Sequence, residues 1–291
     1  KRQALACKDE IIVFANSAEL ATHYPKAPNT YDALYMPRVS YHTGPLDIHD
    51  LRFGRNGSLF AVNTLFSCII GIDDNYNFTP YWTPPFIDKL VSEDRCHLNG
   101  MAMKNGTPKY ATAFNTGNSV QSWRENITTS GVVFDLESDE VVAGGLAMPH
   151  SPRLYGEELY VLLSATGELV KIDISTGKSE VIVKVDGFVR GMAHHRDYLF
   201  IGLSKLRKNS STFGKLQFAE KASQSGILIV HLPTGSIAGK ITYLASLDEI
   251  YDVHVLAGKI RPNIMNTITP DHRLGLMIPG ATYWSHHDEK K

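Results

Sequence analysis

The sequence predicts an all-β fold: a six-bladed β-propeller with four-stranded antiparallel blades, spanning residues 1–291 as a single domain. Two observations predict it. Strand–turn–strand pairs ending in an acidic or Gly-containing turn recur along the chain, and each is preceded by a second pair with its own turn. A third observation bounds the answer. At 43% hydrophobic and 20% charged, the composition is that of an ordinary globular protein, and 291 residues suffice for one large all-β unit.

The downstream pairs are "IIGIDDNYNF" from Ile69, "VVFDLESDEVV" from Val132, "LVKIDISTGKSEVIV" from Leu169 and "LIVHLPTGSIAGKI" from Leu228. Their turns are built on Asp, Ser, Thr and Gly, which supply local hydrogen bonds or positive φ for a tight hairpin. The upstream pairs are "DLRFGRNGSLFAVN", "GMAMKNGTPKYATA", "SPRLYGEELYVLLS" and "GMAHHRDYLFIGLS". "ALACKDEIIVFANS" matches the same pair at the N-terminus, and "DVHVLAGKIRPNIM" reads as a further first strand. Units are thus expected to begin near positions 4, 47, 97, 148, 188 and 249. A lone four-stranded sheet cannot bury both faces, so radial stacking is the natural solution. The chain opens at Lys1 within what reads as the middle of a unit, so a trimmed start and an incomplete first blade are expected. The one helical segment expected starts at Thr212, "TFGKLQFAEKA".

Setting the innermost strands in register aligns "DIHDLRF", "HLNGMAM", "MPHSPRL", "FVRGMAH" and "EIYDVHV". Their third positions hold His49, Asn99, His150, Arg190 and Tyr251; their first positions hold Asp47, His97, Met148, Phe188 and Glu249. Side chains two apart on a strand share a face, about 6.6 Å apart. The two sets are therefore expected to form two tiers of one axial funnel. Two long interruptions of the repeat, Asn115 to Ser130 with Trp123 and Arg124 and Ser204 to Ser225, are expected on the same face, the first as a lid.

Three chemistries fit this residue set. A divalent metal ion is expected on His49, His97 and His150, with Asp50 or Asp252 orienting a ligand histidine. Without a metal, Arg190 and Arg124 would hold an anion, His49 or His150 would act as acid or base, and Tyr251 would supply a proton. Asn99, Trp123, Arg124 and Glu249 would contact the ligand. The reaction class expected is a lyase, isomerase or hydrolase step on a small polar or anionic compound. The alternative is a non-catalytic propeller that binds a small ligand or a protein partner.

Charge and cysteine usage exclude other classes. With 29 basic and 30 acidic residues there is no global field to gather nucleic acid, and the basic stretch from Lys205 to Lys208 with Lys215 beyond it is short. No run of about 18 apolar residues exists to span a membrane as a helix. Cys7, Cys68 and Cys96 cannot all pair and match no zinc spacing, which points to a reducing compartment, the cytoplasm. Five Asn-x-Ser/Thr sequons, at Asn56, Asn77, Asn105, Asn126 and Asn209, are expected in an Asn-rich set of turns by chance.

The segments "YDALYMPRVSYHTGPLDIHDL", "NTLFSCI", "EDRCHLNGMA", "WREN", "MPHSPR" and "RGMA" followed by "GLSKLR" resemble a largely bacterial family of propeller proteins catalogued as a domain of unknown function. The resemblance covers nearly the whole chain and implies a propeller with a shared site, but no activity. More remotely, the layout is similar to gluconolactonase-like and strictosidine-synthase-like six-bladed propellers, which work at the same axial site.

Overall fold

The computed structural model describes residues 2–206, 216, 222, 224–244 and 247–285. In chain order the strands are β1 (Arg2–Ala6), β2 (Glu10–Asn16), β3 (Ala33–His42), β4 (Ile48–Phe53), β5 (Leu59–Asn63), β6 (Cys68–Ile72) and β7 (Thr79–Trp82). They continue as β8 (Gly100–Lys104), β9 (Thr107–Ala113), β10 (Gly131–Asp135), β11 (Glu140–Leu146), β12 (Pro149–Tyr155), β13 (Glu158–Leu163), β14 (Glu168–Ile172) and β15 (Ser179–Lys184). The last are β16 (Phe188–His195), β17 (Tyr198–Ser204), β18 (Gly226–His231), β19 (Ser236–Thr242), β20 (Pro262–Ile264), β21 (Gly275–Ile278) and β22 (Ala281–Trp284).

The chain divides into two compact units, 1–45 with 256–291 and 46–255. The second unit consists of four consecutive four-stranded antiparallel blades, β4–β7, β8–β11, β12–β15 and β16–β19. Each blade is the pair of hairpins read from the sequence. The turn between β8 and β9 shows why: Asn105 (φ 52°) and Gly106 (φ 79°) take the two left-handed positions that a tight hairpin of this hand requires.

Burial grades outward along each blade. The first five residues of β12 are buried, whereas no residue of β15 is, and β16 and β19 differ in the same way. The apolar cores lie between neighbouring blades. Val62, Ile69, Leu98, Met101 and Phe134 fill one interface, Phe114, Val133, Met148, Leu159 and Val170 the next, and Leu162, Val189, Leu199, Ile201 and Val230 the third. The two middle blades, β8–β11 and β12–β15, thus bury both faces against their neighbours.

In the first unit β1, β2 and β3 form an antiparallel set, and β20 adds to β3 in parallel, Pro262 opposite Ala33 and Ile264 opposite Tyr35. The first sheet therefore has four strands, the fourth of them supplied from far along the chain. The chain returns to it through Asp32, whose carboxylate accepts from the backbone N–H groups of Ile260 (2.7 Å) and Arg261 (3.0 Å). A short helix, α1 (Ala18–Thr22), buries Leu20 and Ala21.

Five four-stranded sheets stand among the described residues, not the six predicted. The sixth was expected from Glu249. Residues 247–261 form no strand, and the "RPNIM" portion of the expected first strand is instead β20 of the first sheet. Beyond β20 the described residues form a two-stranded hairpin, β21–β22. The helix expected from Thr212, the basic residues Arg207, Lys208 and Lys215 and the sequon at Asn209 lie outside the described residues. So does most of the interruption from Ser204 to Ser225.

Candidate functional site

Two backbone irregularities aim the side chains at the inner ends of the blades in the second unit. Asp47, His97 and Met148, all first positions of the aligned segments, are left-handed, with φ of 54°, 49° and 52°. Non-glycine residues rarely adopt this conformation, and its recurrence at three equivalent positions marks a shared entry into the inner strand. Register shifts then fall between Ile48 and Asp50, His150 and Arg153, and Val189 and Met192. A bulge bends its strand and redirects the side chain. His49 and Arg190 lie inside these irregularities, and His150 opens the third. The simple strand alternation assumed from the sequence is therefore not what builds the two tiers, because Asp47, His97 and Met148 precede their strands.

At the fourth aligned position two side chains stitch an inner strand to the next. Asp50 Oδ2 accepts from the N–H of Met101 (3.1 Å), and Ser151 Oγ accepts from the N–H of Gly191 (2.9 Å). Gly191, at φ 79°, stands where a Cβ would meet Asp252 Cα at 2.6 Å, so only glycine fits.

These inner ends surround a cavity of about 680 Å³, lined by His49, His97, His150, Arg190, Glu249, Tyr251, Trp123 and Arg124 as expected from the sequence. Asn99 does not line it. Its amide donates to the His97 carbonyl (3.2 Å) and its Oδ1 accepts from Thr112 Oγ1 (3.0 Å), so it holds the His97 turn from behind. The residues that sequence reasoning missed on the wall include Asp94 and Phe114. Ring contacts run from His49 to His97 (4.9 Å between centroids), to Phe114 (4.5 Å), to His150 (5.1 Å) and to Phe188 (5.7 Å).

The segment from Asn115 to Ser130 closes one side. Trp123 is buried at 2% exposure, its ring 4.3 Å from that of His97, and Arg124 stacks on it at 4.2 Å. It is a packed wall of the cavity. Opposite, the Arg190 guanidinium lies 4.1 Å from the Tyr251 ring centroid, while its Nη2 is buried with no hydrogen-bond partner.

All three cavity histidines are fixed in one tautomer. His49 Nδ1 lies 2.9 Å from the Asp47 carbonyl oxygen, which can only accept, so Nδ1 carries the proton. His97 Nδ1 donates to the Asp94 carboxylate at 3.0 Å, and Trp123 Nε1 donates to the same Oδ2 at 3.0 Å. The buried Ser164 hydroxyl gives its single proton to the Val189 carbonyl (2.5 Å), so it must accept from His150 Nδ1 (2.7 Å), which also faces the Met148 carbonyl (3.1 Å). Each imidazole thus offers an Nε2 lone pair, and none of the three has a hydrogen-bond partner among the described residues.

Burial first and the Arg190 charge second hold His49 and His97 well below the usual imidazole range, at about 3. His150 is depressed for the same two reasons. Burial pushes Asp94 up to about 7, against the opposing hydrogen bond from Trp123. The cavity therefore presents three neutral imidazoles beside the Arg190 cation, with Asp47, Asp94 and Glu249 also in its lining. Among the described residues no group of three or more His, Cys, Asp or Glu side chains is gathered closely enough to hold a metal ion.

Asp50 and Asp252, expected to orient a histidine, do something else. Asp50 accepts from Arg153 Nη1 (2.8 Å) and pairs with Arg52 Nε (3.1 Å), and Asp252 pairs with Arg52 Nη2 (3.3 Å) and Arg153 Nη2 (3.5 Å). Asp50 and Arg153 are 6% and 8% exposed. This alternating network joins β4, β12 and the segment at Asp252 beneath the cavity residues.

Fold and site together define a propeller-type all-β protein with a polar, aromatic-walled cavity at the inner ends of its blades. The chain belongs to the family described as domain of unknown function DUF4915, which matches residues 1–265 and so includes every element through β20. No curated protein matches it. Among solved structures it is similar to the hydrazine synthase of Kuenenia stuttgartiensis, at 11% identity and a TM-score of 0.43, over 68% of this chain and 49% of that one. It spans about half the length of that protein. The computationally designed Ika8 protein is similar at 9% identity and a TM-score of 0.39, over 87% of this chain and 64% of that one.

Proposed function

We propose that the cavity is the site of an enzyme that acts on a small anionic compound by acid–base chemistry, of lyase, isomerase or hydrolase type. One observation carries this reading: Arg190 Nη2 is buried and unpartnered among three neutral imidazoles. An orphaned guanidinium nitrogen costs stability unless a ligand supplies the acceptor, and carboxylate is the acceptor whose geometry matches it. Arg190 would hold the anion, with Arg124 and Trp123 on the wall. His49 or His150 would exchange the proton, His97 would be oriented by Asp94, and Tyr251 would act as a proton donor at the rim.

The depressed imidazoles fit this role once the ligand is bound. The Arg190 charge is one cause of their depression, so an anion seated on Arg190 raises them toward the range in which histidine exchanges protons. A divalent metal ion on His49, His97 and His150 is the second reading, favoured by the three Nε2 lone pairs and opposed by the fixed charge of Arg190. The likeness to gluconolactonase-like propellers belongs to the same proposal, since the chemistry would again sit at the inner strand ends. The free thiols of Cys7, Cys68 and Cys96 support a reducing compartment, the cytoplasm.

The test is thermal stabilisation by a panel of small carboxylates, with each hit then followed by NMR for turnover. Stabilisation lost in Arg190→Met supports the reading. A panel that leaves the melting curve unmoved counts for a protein-binding propeller, and stoichiometric metal in protein purified without a histidine tag counts for the second reading.

A further inference from the structure

Charge alone leaves the chemistry of the anion open, and the hydrogen-bonding sense of the cavity narrows it. Each of the three histidines is locked with Nδ1 as donor, by three unrelated devices: the Asp47 carbonyl, the Asp94 carboxylate, and Ser164 acting with the Met148 carbonyl. Three separate solutions to one tautomer leave three Nε2 atoms that can only accept. Among the described residues that line the cavity, the orphaned buried donor is Arg190 Nη2.

A ligand made only of acceptors would satisfy Arg190 and set its remaining oxygens against lone pairs. Desolvated acceptors facing acceptors lose their hydrogen bonds to water and gain none. The ligand must therefore carry donors as well as an anionic group. Hydroxyl groups supply such donors without placing a second cation beside Arg190, which Asp47 and Glu249 already face in the lining. The aromatic faces of Phe114, Phe188 and Trp123 give the carbon skeleton an apolar wall, and a cavity of about 680 Å³ has room for a chain of several carbons.

We infer that the molecule taken by this cavity is a hydroxylated carboxylate, its carboxylate on Arg190 and its hydroxyl groups donating to His49, His97 and His150. This rests on the anion reading above.

A matched six-carbon series tests it on the full chain, by calorimetry and thermal shift: galactonate has both groups, hexanoate only the carboxylate, and galactitol only the hydroxyls. The expected result is galactonate binding about tenfold or more tighter than hexanoate, with galactitol giving no measurable shift. Arg190→Met, which keeps the volume, should abolish galactonate binding. Hexanoate binding as well as galactonate would overturn the hydroxyl inference and leave the anion reading standing. Galactitol matching galactonate, or zinc chloride stabilising the protein while no carboxylate does, would overturn both.

Discussion

His97 and Asp94 form a buried imidazole–carboxylate pair, Nδ1 to Oδ2 at 3.0 Å, and the same oxygen takes the Trp123 indole N–H at 3.0 Å. One carboxylate thereby sets the tautomer of a cavity histidine and ties the loop carrying Trp123 to it. Asp94→Asn keeps the shape but replaces one accepting oxygen by an NH₂ group, which must face either His97 or Trp123. We expect a loss of about 1–3 kcal/mol in urea unfolding. Nitrogen-15 shifts of His97 should reveal a changed tautomer; an unchanged tautomer would show that Asp94 does not set it.

Ser164→Ala removes the acceptor of His150 Nδ1 and the donor to the Val189 carbonyl together. Stability should fall by about 1–2 kcal/mol. The Met148 carbonyl still favours the Nδ1–H form, so the His150 tautomer should survive, and NMR of the imidazole nitrogens checks both statements.

Arg190→Met should separate stability from binding. Removing an unpartnered buried nitrogen offsets the lost stacking on Tyr251, so the unfolding free energy should stay level or rise by about 1 kcal/mol. A drop of several kcal/mol would assign Arg190 to the framework rather than to a ligand.

Arg153→Met leaves Asp50 buried with fewer partners, and a broken buried pair costs about 3–5 kcal/mol. The same substitution at the exposed pair Lys104–Glu157 should cost under about 1 kcal/mol. Urea midpoints of the two variants measure the contrast.

Acid should unfold the protein through its histidines. Below pH about 6.5 the unfolded imidazoles bind protons that folded His49, His97 and His150 refuse, so their contribution is present above 6.5 and lost as pH falls toward 3. Asp94 has the opposite sign: its contribution is present below its ordinary 3.8 and lost as pH rises through about 7. Three imidazoles outweigh one carboxyl, so the melting temperature should fall from pH 6 to pH 4.5. His49→Gln should flatten that slope, each proton being worth about 1.4 kcal/mol per pH unit.

Much of this site can be read in the sequence because the repeat carries its own register. Aligned inner strands place His49, His97, His150, Arg190, Glu249 and Tyr251 on one cavity, and turn residues such as Asn105 and Gly106 mark the hairpins. The bulges cannot be read there, because alternation is blind to one extra backbone residue. Asp94 was missed for another reason. In "SEDRCH" it looks like one more charge of a solvated loop, although a carboxylate three residues before a tier histidine was the available signal. The paired arginines had a signal too, since Arg52 and Arg153 both occupy the sixth aligned position. The sixth blade expected from Glu249 is not found among the described residues, where "PNI" instead adds to an existing sheet, a pairing across 229 residues that a local repeat pattern does not show.

That added strand has a consequence for how the chain is made. Blades β4–β7 through β16–β19 are hairpins of near neighbours, so each can zip up as it leaves the ribosome, at small loop-closure entropy. The first sheet cannot. Arg261 meets Asp32 across 229 residues, and β3 keeps a bare edge until Pro262–Ile264 has been synthesised. The sheet of β1, β2 and β3 is thus completed only after the four blades that lie between have been made, and a nascent chain stalled before Pro262 would expose a strand edge open to pairing with other chains.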